Sequence, residues 1–136
     1  MPQISYAEKV IAYLYEEGEY DWIAFGQLVG YVASDENDVA FGKSDDEIFR
    51  DALSVGMYLI DSGDFFVGSL NSGHHPKGHL SPFQNGKGDF LRIAHQYYES
   101  EGLQALELIA GIWFEKTNHG KMTNEPTDAL CRIFRS

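Results

Sequence analysis

The chain reads as a mainly α protein: a compact bundle of about six helices, with a small β-hairpin or short strand pair between the central and later helices. Three observations predict this. Apolar residues recur at i, i+3, i+4 and i+7 through most of the 136 residues. A serine followed three places later by glutamate opens two of these periodic segments. Residues that favour strands concentrate in one short run, residues 65–70.

The first helix is expected over residues 5–17, where Ser5 and Glu8 form a capping box and Ala7, Val10, Ile11 and Leu14 share a face. Gly18 ends it. A second helix is expected over residues 21–33, with Trp22, Phe25, Val29 and Val32 on one side. Gly26 and Gly30, four apart, are read as permitting close helix–helix approach, since each costs a helix about 1 kcal/mol relative to alanine. After a polar loop, Ser44 and Glu47 open the central helix, and Asp45, Asp46 and Glu47 lie where the helix dipole favours negative charge. Its apolar residues fall on most sides out to about Asp61.

Residues 65–70 follow as a strand, then a long Gly, Pro, His and Ser loop with a second strand expected over residues 79–83. Helices are expected over residues 89–100 and 103–115, the latter containing Trp113 and Phe114, and a short one over residues 126–135 opens on Pro126. One domain over residues 1–136 suits this length and a 43% apolar composition.

The composition is lopsided in charge. The formal net charge is −11. Residues 1–64 hold fourteen acids against three bases, and residues 65–136 hold seven of each. An acidic protein repels nucleic acid and anionic lipid and attracts basic partners. No nucleic-acid partner and no membrane association are therefore expected. One cysteine, Cys131, excludes an internal disulfide and reads as a buried or half-buried helix position. The first residues lack the basic and apolar regions of a signal peptide, so a cytoplasmic location is expected.

No pattern for catalysis emerges. Asn85-Gly86-Lys87-Gly88 lacks the spacing and hydroxyl of a phosphate-binding loop. Residues 35–38 lack the alternation of a calcium loop, and there is no Gly-x-Ser-x-Gly elbow. His74, His75 and His79 are the closest approach to a metal site, but a Gly- and Pro-rich loop supplies neither fixed geometry nor a fourth ligand. No catalytic residue, no metal and no cofactor are expected, and the histidines are assigned to partner contact.

Asp35, Glu36, Asp38, Asp45, Asp46, Glu47 and Asp51 crowd into seventeen residues beside Lys43 and Arg50. Capping accounts for Asp45 to Glu47. The remainder exceeds what capping requires, and dense like charge opposes folding, so the segment is read as a docking face for a basic partner.

A resemblance adds to this reading. Asp61-Ser62-Gly63 is followed by Asp64-Phe65-Phe66-Val67-Gly68-Ser69-Leu70, then by a loop with Pro82-Phe83, and later by Trp113-Phe114-Glu115-Lys116-Thr117-Asn118-His119-Gly120. This order resembles small bacterial immunity proteins paired with contact-dependent growth-inhibition and other polymorphic toxins, over residues 46–120. It departs in carrying Phe83 where the group usually has a loop tryptophan. The resemblance implies a stoichiometric inhibitor of a cognate toxin domain, with no catalytic residues. Since a nuclease presents a basic groove to phosphates, the acids of residues 35–51 would stand in for phosphates. Two alternatives stay open: a non-catalytic regulatory adaptor built on residues 48–83, and a small metal-binding enzyme using the His74–His79 loop.

Overall fold

A computed structural model describes residues 6–69, 80–104, 111–117 and 128–134. In chain order these form helix α1 (Tyr6–Gly18), strand β1 (Ile23–Ala24), helices α2 (Phe25–Ala33) and α3 (Asp45–Asp61), and strands β2 (Phe65–Ser69) and β3 (Ser81–Pro82). Helix α4 (Lys87–Glu101), strand β4 (Trp113–Lys116) and helix α5 (Asp128–Ile133) follow.

The expected six-helix bundle is not what the chain forms. Among the described residues, five helices pack with a four-stranded antiparallel sheet of order β1-β4-β2-β3, an α+β fold. A strand pair does lie between α3 and α4, with Gly68 opposite Pro82 and Ser69 opposite Ser81, but it is only half of the sheet. The other half comes from segments read as helix. Trp113 to Lys116 pair with β2, setting Val67 against Phe114 and Phe65 against Lys116. Ile23 and Ala24 close the far edge against Phe114 and Trp113. Trp and Phe favour strands wherever a partner edge is supplied, and the edges here lie dozens of residues away. Along β4 the burial alternates, with Phe114 and Lys116 inward.

The core runs between the sheet and α1 to α4. α2 packs along α3, and α3 also meets β2 and α4, while α1 rests on β4 and α5. At the centre Phe90 of α4 lies edge-on to Phe25 of α2 (5.5 Å between ring centres) and to Phe114 of β4 (5.6 Å). Gly56 of α3 makes room for them: a Cβ there would lie 2.6 Å from Phe90 Cζ. Gly68 is required for a different reason, since a Cβ would sit 2.1 Å from the Ser81 carbonyl oxygen where β2 and β3 meet.

Two polar contacts tie α1 to the sheet. The Tyr15 hydroxyl donates to Asp64 (2.6 Å). Lys116, buried at the end of β4, pairs with Glu19 beyond the end of α1 (2.5 Å). Among the described residues, no helix is long and apolar enough to cross a membrane.

Candidate functional site: an acidic, tyrosine-lined face

The acids of residues 35–51 divide into two groups with different work. Asp35 builds the turn that holds them. Its Oδ1 accepts from the amides of Asn37 (2.8 Å) and Val39 (2.9 Å), and its own amide donates to the Val39 carbonyl. This side chain closes the loop upon itself, as aspartate does in turns. Glu36 pairs with Lys9 of α1 (2.9 Å). Asp38, at φ 62° in the left-handed region, stands exposed at the tip beside Val39, which is 60% exposed.

The second group surrounds the start of α3. The Ser44 hydroxyl accepts from the Glu47 amide (3.2 Å) and donates to Glu47 Oε1 (3.3 Å), so the cap forms at the expected place. Asp46 accepts from the Tyr98 hydroxyl of α4, and the Tyr98 ring stacks on Phe49 with centres 4.1 Å apart. That hydrogen bond, with Asp46 and Asp45 adding negative potential, holds the Tyr98 phenol neutral and pushes its pKa up to about 12. Asp51 pairs with Lys43 (2.9 Å), whose ammonium also donates to the carbonyls of Val32 (2.9 Å) and Ile133 (2.6 Å). Lys43 thereby joins the C-terminal ends of α2 and α5 to α3, where helix dipoles favour a cation.

The seven acids thus do not line one groove. Glu47 and Asp51 line a groove of about 460 Å³ together with the cations Lys43 and Arg132. Asp35, Glu36 and Asp38 line another, of about 550 Å³, that shares none of those residues.

This second groove is where the chain concentrates aromatic and acidic groups. Tyr6, Tyr13, Tyr31, Gln27, Gly30 and Ser34 complete its walls. A shallower hollow of about 330 Å³ continues from it, sharing Tyr13 and Tyr31 and adding Glu16, Glu17 and Tyr20. Local structure explains the assembly. Ala7, Val10, Ile11 and Leu14 turn one side of α1 into the core, which leaves Tyr13 and Glu16 outward. The Gln27 side chain fixes α2 alongside, accepting from the Ala24 amide (3.0 Å) and donating to Glu17 (2.6 Å). Tyr13 is 48% and Tyr20 87% exposed.

The electrostatics follow. Burial, then Tyr31, Glu36 and Asp35, raises the Tyr6 pKa. Burial, then Glu17 and Tyr13, raises that of Tyr31. Both phenols resist ionisation because they are half-buried in a region that is already negative.

The sequence reading missed these tyrosines as a set. Part of the signal was present: Tyr6 and Tyr13 stand seven residues apart, the spacing of one helix face. Gly30 was also misread. It is exposed, and a Cβ there would meet nothing within 4 Å, so it serves no close helix approach. His95 is exposed on α4 with its ring edge-on to Phe49 (5.0 Å). Cys131 is half-buried on α5 and packs against the core.

His74, His75 and His79 lie outside the described residues. Among the described residues, no three His, Cys, Asp or Glu side chains gather as a metal-binding group. What this face offers chemically is a set of hydrogen-bond acceptors and π-faces, suited to holding cations. Comparison with protein-family models, curated proteins and solved structures finds no match for the chain.

Proposed function

We propose that this protein is an immunity protein that neutralises a basic toxin domain, a nuclease, by covering the groove with which the toxin grips phosphates. The observation that carries the reading is the face built on α1, α2 and the 34–40 loop. Its two hollows are lined by five carboxylates and four tyrosines, with Lys9 paired to one of the carboxylates, Glu36, at the rim. Tyrosine gives large contact area at low entropic cost and is enriched where interfaces carry their energy. Surrounding carboxylates steer a basic partner and fix its register. The confinement of the net charge to residues 1–64 and the resemblance described above point the same way.

The docking surface in this reading centres on Asp35, Glu36 and Asp38 together with the tyrosines. Asp45, Asp46, Glu47 and Asp51 contribute long-range attraction, because their side chains serve helix capping, Tyr98 and Lys43.

The test is co-expression with the toxin domain encoded beside it. The expected result is a one-to-one complex that co-purifies, survival of cells that otherwise die, and association that slows as salt rises through the range where the Debye length falls from about 10 to 3 Å. A toxin domain that neither co-purifies nor loses its toxicity refutes the proposal.

A further inference from the structure

We propose that the groove between α1 and α2 is a pocket for arginine side chains of a basic protein partner, with Tyr13 and Tyr31 as its walls and the Glu36–Asp38 loop as its acceptor rim. Its biological role rests on the reading of a basic partner given above, but its chemistry stands separately.

Three observations support it. The first is Gly30. An exposed glycine within a nine-residue helix lowers helix stability by about 0.8–1 kcal/mol. No packing accounts for it, since an added Cβ would enter open space. Gly30 lines the groove, and its missing side chain keeps the space between the tyrosines clear.

The second is Lys9. Its ammonium reaches from α1 to Glu36 and makes an ion pair with side chains 37% and 50% exposed. Such a pair is worth about 0–1 kcal/mol, so an arriving cation can displace it at little cost. The protein's own lysine shows that this rim accepts a cation.

The third is the lining chemistry. Aromatic faces beside carboxylates suit a guanidinium better than an ammonium. The guanidinium is planar, stacks on rings, is more weakly hydrated and carries five donors for several acceptors at once. The rim offers those acceptors in Glu36 and Asp38, at an accessible surface rather than in a sealed cavity.

The experiment uses the intact protein, isotope-labelled for NMR, and acetyl-Gly-Arg-Gly-Arg-Gly-amide as probe, with lysine and citrulline versions for comparison. The arginine peptide should shift resonances of Tyr13, Gly30, Tyr31 and Asp38. The lysine peptide should bind about threefold or more weakly, and the uncharged citrulline peptide should not bind measurably. Gly30→Met fills the groove from an exposed position and should weaken arginine binding about tenfold without lowering the melting temperature. Tyr13→Ala with Tyr31→Ala should weaken arginine binding by a similar factor, with some loss of stability because Tyr31 packs against the core. Should the tyrosine variant prove unstable, Gly30→Met still decides, because it touches no core residue.

Shifts centred on Asp45 to Glu47, equal binding of the lysine peptide, or full binding by Gly30→Met would each overturn the pocket. Those results would leave toxin neutralisation to its own test. Conversely, a peptide that binds as expected to a protein that protects no cell would sustain the pocket and refute the immunity role.

Discussion

Replacing Lys43 with methionine tests how far Asp51 and its lysine hold the fold. The substitution keeps the apolar stem and removes the charge. Two hydrogen bonds to carbonyls vanish, at Val32 (2.9 Å) and Ile133 (2.6 Å), together with the ion pair to Asp51 (2.9 Å). Hydrogen bonds from a charged donor contribute about 1.5–3 kcal/mol each, and the lower figure applies because the groove beside them admits water. The ion pair, with Asp51 26% exposed, adds roughly 0.5 kcal/mol. The expected loss is about 3.5 kcal/mol, or roughly 10 °C in melting temperature for a chain of this length. Urea unfolding followed by circular dichroism should move its midpoint down by about 1.5 M without a change of slope. Asp51→Asn and the double variant complete a cycle, with a coupling of about 0.5–1 kcal/mol expected between the two side chains. A loss below about 0.5 kcal/mol in Lys43→Met, or zero coupling to Asp51, would refute the role of Lys43 in joining α2 and α5 to α3.

Two glycines of similar helical setting should respond to alanine with opposite signs. Gly30→Ala should stabilise by about 0.5–1 kcal/mol, since the methyl meets nothing. Gly56→Ala should destabilise by about 1–3 kcal/mol, since the methyl would press on Phe90 and Phe114; urea unfolding gives both signs, and a stabilised Gly56→Ala would contradict the packing of α3 on α4. Burial, then the hydrogen bond to Asp64, pushes the Tyr15 phenol from 10.0 up to about 12. Its folded pKa exceeds its unfolded one, so this stabilisation is complete below pH 10 and disappears as pH rises through about 12. Tyr15→Phe should therefore flatten the fall of stability over that window, as read by unfolding at several alkaline pH values, and an unchanged slope would exclude the Tyr15 contribution. Asp38→Asn should leave stability within about 0.5 kcal/mol, because asparagine accepts the left-handed backbone at that turn, while slowing association with the basic partner in stopped-flow measurements.

The helices were legible where local signals suffice. α3 begins at Asp45 and ends at Asp61 because Ser44 caps one end and Ser62 and Gly63 turn the chain at the other, and these signals are contiguous in sequence. α1 and α4 lie within two residues of their expected spans. β4 was read as helix because Trp113 and Phe114 continue an apolar helical period, and what makes them a strand is β2, some 50 residues earlier. β1 is too short, at two residues, to leave a period of its own. The same distance in sequence hid the contacts that the acids make. The acids of residues 35–51 could be counted, but their partners lie 27 residues away for Glu36, at Lys9, and 52 away for Asp46, at Tyr98.

In the proposed reading charge density alone does not locate the docking surface, and the reason is physical. A carboxylate that caps a helix or holds a lysine is already solvated by the protein, and recruiting it to a partner means breaking that contact. A carboxylate at an exposed tip, such as Asp38, or in a weak surface pair, such as Glu36, costs little to redirect. Binding energy also needs area that leaves water, which acids supply poorly and tyrosines supply well. The half-exposed Tyr13 and the nearly bare Tyr20 have no role in the core, whose side of α1 is complete without them. Their apolar area stands in water beside acids that raise solubility, an arrangement that suits the proposed partner, whose cations and stacking groups would remove both from solvent together. In the proposed reading, the acid cluster that first marks this chain is the approach to the site, and the tyrosine groove next to it is the place of contact.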